Sequence, residues 1–285
     1  MDDAAVLKKT HGLEIEIECV SDDRVSRTFD SVAIEEPLEI RLGFEKNGKF
    51  SHKAISITMR TPGNDFELAA GFLFTEGIIS SRDQIASIKH CGIFPNNRNT
   101  VRIDLTAETR VDLKKLERHF YTSSSCGVCG KSSIEAIANG AENIENDFEP
   151  KLSGEFLHNF PEIILKNQAV FDETGGLHAA ALFDLSGNLV DLREDVGRHN
   201  AVDKLIGKQF LDSRLPLKEN VLFLSGRASF ELVQKAVIAR IPIIAAVGAP
   251  SSLAVEAAKA FRATLIGFVR DRRFNVYTGA ERLEF

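Results

Sequence analysis

Apolar and polar positions follow a strand-like alternation in the first part of the chain. Residues 13–20, "LEIEIECV", and the later stretch "TVRIDLT" alternate apolar with polar side chains, the pattern of half-buried strands. The stretches "PLEIRLGFE" and "KAISITMRTP" predict two more strands, the second of which ends at Pro62. The stretch "FELAAGFLFTEGII" has the apolar spacing and alanine content of a helix that ends near Gly77. These patterns predict an α+β arrangement for the first half.

The second half shows a different order of elements. The segments "GLHAAALFD" and "LVDLRED" flank the turn sequence "LSGN" and predict a hairpin. The segment "VGRHNAVDKLIG" then places Val202, Leu205 and Ile206 at helical spacing. From "VLFLSG" to "TLIGFV", nearly continuous apolar strands alternate with helices. Such alternation predicts a parallel or mixed sheet that is covered by helices on both faces.

An acidic stretch, "AENIENDFEPKLSG", separates the two halves and is the predicted hinge between two lobes. We expect a flexible tail over residues 1–12, an α+β lobe with a cysteine-containing loop over residues 13–155, and an α/β lobe over residues 156–285. The fold class predicted for the whole chain is α/β.

Composition and charge narrow the functional classes. The formal net charge of −6 and the pI near 5.7 argue against a duplex nucleic-acid partner, which favours a basic face. No apolar run approaches the ~20 residues that span a bilayer, and the first residues lack the apolar core of a signal peptide. We therefore expect a cytoplasmic protein without a membrane partner. Thiols are reduced there, so the isolated Cys19 and Cys91 are predicted to be core thiols rather than parts of a disulfide framework.

Two loops and one basic segment suggest an anion site in the second half. The sequences "LSGRAS" and "AVGAPSS" each fall where a predicted strand ends and a helix begins, which is where open α/β sheets bind ligands. Their backbone N–H groups favour anions, and Ser229, Ser251 and Ser252 can cap the helices or donate to a ligand. The segment "GFVRDRRFNVYT" adds Arg270 and its neighbours, which fit either a small anion or a solvated strand end.

Two of the four cysteines, Cys126 and Cys129, lie three positions apart in "SSSCGVCGKSS". A structural zinc site needs four ligands, so this single pair would have to recruit histidines such as His178 and His199. A Walker-type phosphate loop would need a glycine where the chain has Ser125, and the preceding residues are a poor match for a buried strand. An inert polar loop with incidental cysteines is the simplest alternative.

A reactive thiol fits the same segment better. Ser132 and Glu135 form an S-x-x-E capping box, so a helix is predicted to begin just after Cys126 and Cys129 and beside Lys131. Positive charge at a helix N-terminus stabilises a thiolate and lowers the pKa of a cysteine. The pair then fits a redox protein or a persulfide relay. A thioredoxin-like protein would place the motif after the first strand of a βαβ unit, and here it lies mid-chain.

Taken together, these residues resemble the FdhD family of formate dehydrogenase accessory sulfur carriers. The resemblance runs from about Pro62 to Tyr277, and the first ~60 residues match only loosely. It rests on the order of several specific blocks, which are "RTPGNDFELAAGFLFTEGII", "SSCGVCGKSS", "TGGLHAAALF", "REDVGRHNAVDKLIG", "SGRASFELVQKA", "VGAPSSLAVEAAKAF" and "GFVRDRRFNVYT".

The resemblance implies a sulfurtransferase that works by persulfide relay. Such a protein accepts sulfur from a cysteine desulfurase and passes it to the molybdenum cofactor, Mo-bis(molybdopterin guanine dinucleotide), before insertion into formate dehydrogenase. Cys126 would carry the persulfide, with Cys129 as the second cysteine of the motif. The family also implies a homodimer, no intrinsic metal, and a C-terminal lobe with a cytidine-deaminase-like three-layer α/β/α sandwich. The implied cofactor-binding residues are Phe268, Val269, Arg270, Asp271, Arg272 and Arg273.

Two other functions share parts of this pattern. A non-catalytic chaperone that binds the molybdenum cofactor for formate dehydrogenase would need the arginines but not the cysteines. A zinc-dependent deaminase would need the H-x-E and P-C-x-x-C signatures, and the sequence contains neither. The sequence does not choose a role for His178, Arg198 or His199, nor for Asp195 and Asp203, which can orient a ligand or cap a helix.

Overall fold

The computed structural model describes residues 12–22, 24–46, 48–92, 97–110, 144 and 151–285. In this part of the chain there are 14 strands and six α-helices. The helix predicted to begin at Ser132 lies outside the described residues. No helix within these ranges is long and apolar enough to span a membrane.

The N-terminal part contains a separate hairpin and a four-stranded sheet. Strands β1 and β2 pair antiparallel with Leu13 opposite Val32, and the larger sheet has the strand order β4-β3-β6-β5. Helix α1 packs on this sheet, and both contribute to one hydrophobic core. In chain order the elements are β1 (Gly12–Ser21), β2 (Arg24–Ala33), β3 (Glu36–Lys46), β4 (Lys49–Arg60), α1 (Asp65–Thr75), β5 (Ile85–His90) and β6 (Thr100–Leu105).

The C-terminal part is built on a six-stranded mixed sheet with the order β13-β12-β11-β10-β8-β9. Strands β10, β11 and β12 are parallel, whereas β8 and β13 are antiparallel to their neighbours. Its elements and those beside it are β7 (Leu152–Ser153), α2 (Gly154–Asn167), α3 (Ala169–Thr174), β8 (His178–Asp184), β9 (Leu189–Asp195), α4 (Arg198–Leu211), β10 (Asn220–Leu224), α5 (Phe230–Ile238), β11 (Ile243–Ala246), α6 (Ser252–Ala260), β12 (Thr264–Arg270), β13 (Arg273–Thr278) and β14 (Leu283–Glu284).

The run of apolar residues in the central strands produces three layers. In β8, Ala180 and Leu182 face the core beneath α4, α5 and α6, whereas Ala181 and Phe183 face the core beneath α2. Because successive side chains of a strand point to opposite faces, an all-apolar strand must be covered on both sides. The predicted α/β fold class and the mixed sheet covered on both faces are therefore confirmed.

Helix α1 crosses helix α4 at two glycines, which brings the two parts of the chain into close contact. A Cβ atom on Gly71 would lie 1.9 Å from the carbonyl oxygen of Asp203, and one on Gly207 would lie 1.9 Å from that of Glu67. Any side chain at these positions would force the helices apart. The crossing thus requires glycine for close backbone approach rather than for a special φ angle.

A buried ion pair lies beside this crossing. The Lys235 ammonium lies 2.9 Å from Oδ1 of Asp203 and donates a hydrogen bond to Thr75 Oγ1, also at 2.9 Å. The Thr75 hydroxyl in turn donates to Asp203. Burial works against the charged ammonium, but the Asp203 and Glu76 carboxylates outweigh it and raise the pKa of Lys235 above its ordinary value. Because the partners come from α1, α4 and α5, this cluster ties the two parts together.

Two expectations for the N-terminal region are wrong. Strand β1 forms where it was predicted, but it is mostly exposed, with 57% of Leu13 accessible, because its only strand partner among the described residues is β2. Cys19 on that strand is consequently exposed rather than a core thiol, and Cys91 is only half-buried. Strand β2 and helix α2, which contains Pro161, were not predicted at all. The lobe boundary at residue 155 stays a prediction.

Candidate functional site

Several chain segments that carry polar groups converge at one edge of the six-stranded sheet. Strands β9, β10, β11 and β12 run in the same direction, so their carboxyl ends share this edge with the start of β8. The N-terminal ends of α4, α5 and α6 follow directly, at Arg198, Phe230 and Ser252. Backbone N–H groups in the first turn of a helix have no partner within the helix, so three such ends produce a positive electrostatic environment.

Glycines allow the loops at this edge to stack closely. A Cβ on Gly248 would lie 2.9 Å from Cγ of Arg227, and one on Gly267 would lie 2.9 Å from Cδ of Pro250. Backbone hydrogen bonds continue the ladder beyond the strands, from the Gly248 N–H to the Gly226 carbonyl and from the Phe268 N–H to the Gly248 carbonyl. The β10–α5 loop, the β11–α6 loop and the end of β12 are therefore held as one unit.

The predicted cofactor-binding segment 268–273 comprises the end of β12, the β12–β13 turn and the first residue of β13. It lies beyond the part of β12 that pairs with β11. Phe268 lies in a β-bulge with a left-handed φ of 55°, a backbone conformation that is unfavourable for an aromatic residue. Asp271 and Arg272 form the two-residue turn of the β12–β13 hairpin with φ near 53° and 54°, as a primed hairpin turn requires. Strained residues of this kind are common at functional sites, and this one lies within the predicted cofactor-binding segment.

The segment exposes three arginines that have no carboxylate partner among the described residues. Arg270 and Arg273 are cross-strand neighbours, an arrangement that repels unless an anion lies nearby. The Arg270 guanidinium lies 5.7 Å from the centroid of the Phe268 ring, and Arg272 is exposed in the turn. Asp271 forms no ion pair with them within the described part of the chain. Val269, by contrast, is fully buried and anchors the bulge in the core.

His199, Ser229 and Glu231 meet where α4 approaches α5. Nε2 of His199 lies 3.4 Å from Ser229 Oγ and 3.8 Å from a carboxylate oxygen of Glu231. Because both contacts use the same ring nitrogen, these residues lack the two-sided geometry of a Ser-His-acid triad. Burial, aided by the charges of Lys235 and Arg198, lowers the pKa of His199 to about 4 despite Glu231. The imidazole is therefore neutral at neutral pH.

His178 and Arg198 occupy the adjoining part of the edge. His178 is opposite Asp195 in the β8–β9 pair, and a Cβ on Gly226 would lie 3.3 Å from its Nδ1. Burial and the charge of Arg198 lower the pKa of His178, and Asp195 only partly offsets them. The buried Nε of Arg198 has no hydrogen-bond partner among the described residues.

Most of the remaining candidate residues hold the fold together through internal hydrogen bonds and ion pairs. Asp195 accepts hydrogen bonds from Thr61, Gly197 and Asn200 and pairs with Lys204 at 2.7 Å, so it holds the β9–α4 connection. Asp203 is committed to Lys235 and Thr75 as described above. Ser251 caps α6 as predicted, whereas Ser229 at the start of α5 makes no capping bond to the helix backbone. Cys126 and Cys129 lie outside the described residues.

Sequence reasoning missed several contributors to this edge. Arg227 is exposed beside Gly248, and Glu231 faces His199; both belong to the "SGRASFE" stretch whose strand-to-helix position was the available signal. The β4–α1 connection also reaches this edge, because Asn200 donates to the Met59 carbonyl and the Val196 N–H donates to Thr61 Oγ1. No local pattern in "MRTP" indicates that long-range contact.

The chain is similar in sequence to one protein family and to several named proteins. Residues 33–284 match the model of the FdhD/NarQ family. The chain is 49% identical over 269 residues to a protein named sulfur carrier protein FdhD from Streptomyces coelicolor, covering 93% of each chain. It is 44% identical over 271 residues to a protein of the same name from Sulfolobus acidocaldarius, covering 95% of this chain and 98% of that one.

A solved structure shares the fold across nearly the full length. The crystal structure of a candidate formate dehydrogenase accessory protein from Desulfotalea psychrophila superposes with a TM-score of 0.72 and 25% sequence identity. The superposition covers 96% of this chain and 100% of that chain.

Proposed function

Because this chain belongs to the FdhD/NarQ family, we propose that it is a sulfur carrier that serves a formate dehydrogenase. The names of its relatives support this role, and so does the crystal structure of a candidate formate dehydrogenase accessory protein with the same fold. The observation that carries the proposal within this chain is the strand-end edge, where four arginines lack carboxylate partners in the described residues. They are Arg227, Arg270, Arg272 and Arg273.

The substrate of this edge is proposed to be the molybdenum cofactor in its bis(molybdopterin guanine dinucleotide) form. Its pyrophosphates are anionic, and arginine offers charge-assisted, bidentate hydrogen bonds to phosphate oxygens. The exposed Arg270 and Arg273 would contact phosphate, and the half-buried Phe268 offers an apolar surface next to them. Val269 and Asp271 contribute through the bulge and the turn rather than through charge.

The sulfur is proposed to travel on Cys126. The Cys126 thiolate attacks the terminal sulfur of a cysteine desulfurase persulfide; a new S–S bond forms and the desulfurase thiolate leaves. Cys129 then attacks Cys126, the Cys126–Cys129 disulfide closes, and HS⁻ departs toward the cofactor. A cellular thiol reductant must reopen the disulfide before the next cycle. By this mechanism the chain acts as a sulfurtransferase.

The test is intact-mass analysis after incubation with a cysteine desulfurase and cysteine. We expect the wild-type protein to gain one sulfur atom, and the Cys126→Ala variant to gain none. Cys19→Ala is the matched control, because Cys19 is exposed and remote from the motif in sequence, and it should load like the wild type. Absence of added sulfur on the wild type, or its persistence in Cys126→Ala, would contradict the proposal.

The family resemblance also supports a homodimer in the cytoplasm. Sedimentation velocity at micromolar concentration tests the first expectation, which a purely monomeric protein would contradict. Fractionation of cells tests the second.

A further inference from the structure

Arg198, at the first position of α4, differs from the buried cations around it because it lacks a partner. Its buried Nε has no hydrogen-bond acceptor, and its guanidinium forms no ion pair, within the described residues. Of the nearby carboxylates, Asp195 pairs with Lys204, and Glu231 accepts hydrogen bonds from its own N–H and from Ser229. The charge of Arg198 helps to lower the pKa of Glu231, but the two side chains form no ion pair among the described residues. An unsatisfied buried donor costs about 1–3 kcal/mol and calls for an explanation.

Two imidazoles lie within the electrostatic reach of this guanidinium. The charge of Arg198 contributes to lowering the pKa of both His178 and His199, after the larger effect of burial. Each neutral ring still carries one N–H donor. His178 makes no hydrogen bond with other described residues, and the contact of His199 with Ser229 is long at 3.4 Å. These rings can therefore donate to a ligand without losing a strong internal bond.

The backbone adds donors at the same place. The residue before α4, Gly197, provides no side-chain cap, so the first-turn N–H groups of this helix remain available. The helix spans 14 residues from Arg198 to Leu211, long enough for its dipole to favour an anion at this end. Gly226 lies against His178, since a Cβ atom there would come within 3.3 Å of its Nδ1. The carboxylates beside the two rings are Asp195, which is opposite His178 and pairs with Lys204, and Glu231, 3.8 Å from Nε2 of His199.

We propose that Arg198, His178 and His199 form a phosphate-binding subsite that is separate from the 268–273 segment. It takes one phosphate group of a pyrophosphate, which supplies the missing acceptor for Arg198. The inference rests on the proposed function in one respect, namely that this phosphate belongs to the cofactor. Sulfur loading of Cys126 does not depend on it.

The test is calorimetric titration of the full-length protein with inorganic pyrophosphate. We expect Arg198→Gln to weaken binding about tenfold or more, because a hydrogen bond to a charged group contributes about 1.5–3 kcal/mol. Arg24→Gln is the matched control, since Arg24 is exposed at the turn end of the β1–β2 hairpin, opposite the end at Ala33, and it should bind like the wild type. Histidine ring NMR signals of His178 and His199 should shift with pyrophosphate in the wild type and not in Arg198→Gln.

Each outcome decides the proposal. Equal affinity of Arg198→Gln and wild type, or no binding by the wild type at millimolar pyrophosphate, would overturn it, whether or not Cys126 carries sulfur. Should Arg198→Gln fail to fold, Arg198→Lys replaces it; this variant keeps the charge but loses the planar fork. If Arg198→Lys bound pyrophosphate as tightly as the wild type and showed the same shifts of the His178 and His199 signals, the subsite would equally be overturned.

Discussion

Buried polar groups along the body of α4 have close internal partners, whereas Arg198 and His199 at its start have no close partner within the part of the chain that the structure describes. Along the body, Asp203 and Lys204 are each matched by a partner of opposite charge and by further hydrogen bonds. At the N-terminal turn, Arg198 is unmatched and His199 makes only long contacts in the described residues. The completed networks fix how the two parts of the chain pack, whereas the unmatched Arg198 calls for an explanation, which the proposed phosphate supplies.

The largest expected effect comes from breaking the completed network. Lys235→Met should lower the free energy of unfolding by about 3–5 kcal/mol, because it leaves the Asp203 carboxylate buried without its cation. Denaturant unfolding measures the loss. The double variant Lys235→Met/Asp203→Leu should recover much of it, since removing both charges leaves no unpaired ion. A single variant as stable as the wild type would show that the network is not structural.

The helix crossing gives the next largest effect. Gly71→Ala should destabilise the protein by about 2–3 kcal/mol, because the new methyl group meets the Asp203 carbonyl at 1.9 Å and must separate α1 from α4. Thermal unfolding is the measurement. Gly176→Ala is the control, since its Cβ meets other atoms only at ordinary contact distance, 3.4 Å or more. Equal melting temperatures for the two variants would refute the close crossing.

A pair of arginine variants sharpens the comparison. Arg198→Gln should not lower the free energy of unfolding by more than about 0.5 kcal/mol, because no internal partner is lost. Arg60→Gln should cost several times more, because Arg60 is buried and binds Asp65 through two nitrogens at 2.9 and 3.1 Å. Equilibrium urea unfolding of both proteins distinguishes these cases. A large loss in Arg198→Gln would mean that Arg198 has a structural partner.

The smallest effect is on protonation. NMR titration should find His199 neutral until the pH falls to about 4. Arg198→Gln should raise the pKa of His199, and Glu231→Gln should lower it further. Because the pKa of His199 is lower in the folded chain than in the unfolded chain, its contribution makes stability fall as the pH decreases from about 6.5 toward 4. An ordinary histidine pKa would contradict the burial of this ring.

Local patterns predicted the second half better than the first, for a physical reason. Strands such as β10 and β11 are buried on both faces, so their apolar runs and the following serines mark both the sheet and the edge proposed to bind a ligand. The exposure of β1 could not be predicted from its alternation, because "LEIEIECV" shows that one face of the strand is apolar but not whether another element covers that face. The partners of Asp195 and Asp203 are also hidden, since they depend on residues brought together where α1 and the chain before it meet α4.

The sequence also predicts some features of the site and not others. The arginine segment and the strand-end loops could be located from sequence, because both depend on local residue types. The lack of a partner for Arg198 could not, because it follows from Asp195 and Glu231 being committed elsewhere. The left-handed bulge at Phe268 was equally invisible, since the positive φ falls on Phe268 and not on the adjacent Gly267.

The most direct test of the central claim, that this chain delivers sulfur rather than only escorting a cofactor, uses cells that lack their own carrier. Formate dehydrogenase activity should be restored by the wild-type chain and should stay at the background level with the double variant Cys126→Ala/Cys129→Ala. The double variant must accumulate to the wild-type level and keep its pyrophosphate affinity. Wild-type dehydrogenase activity under those conditions would contradict the sulfur-carrier account and favour a cofactor-binding chaperone.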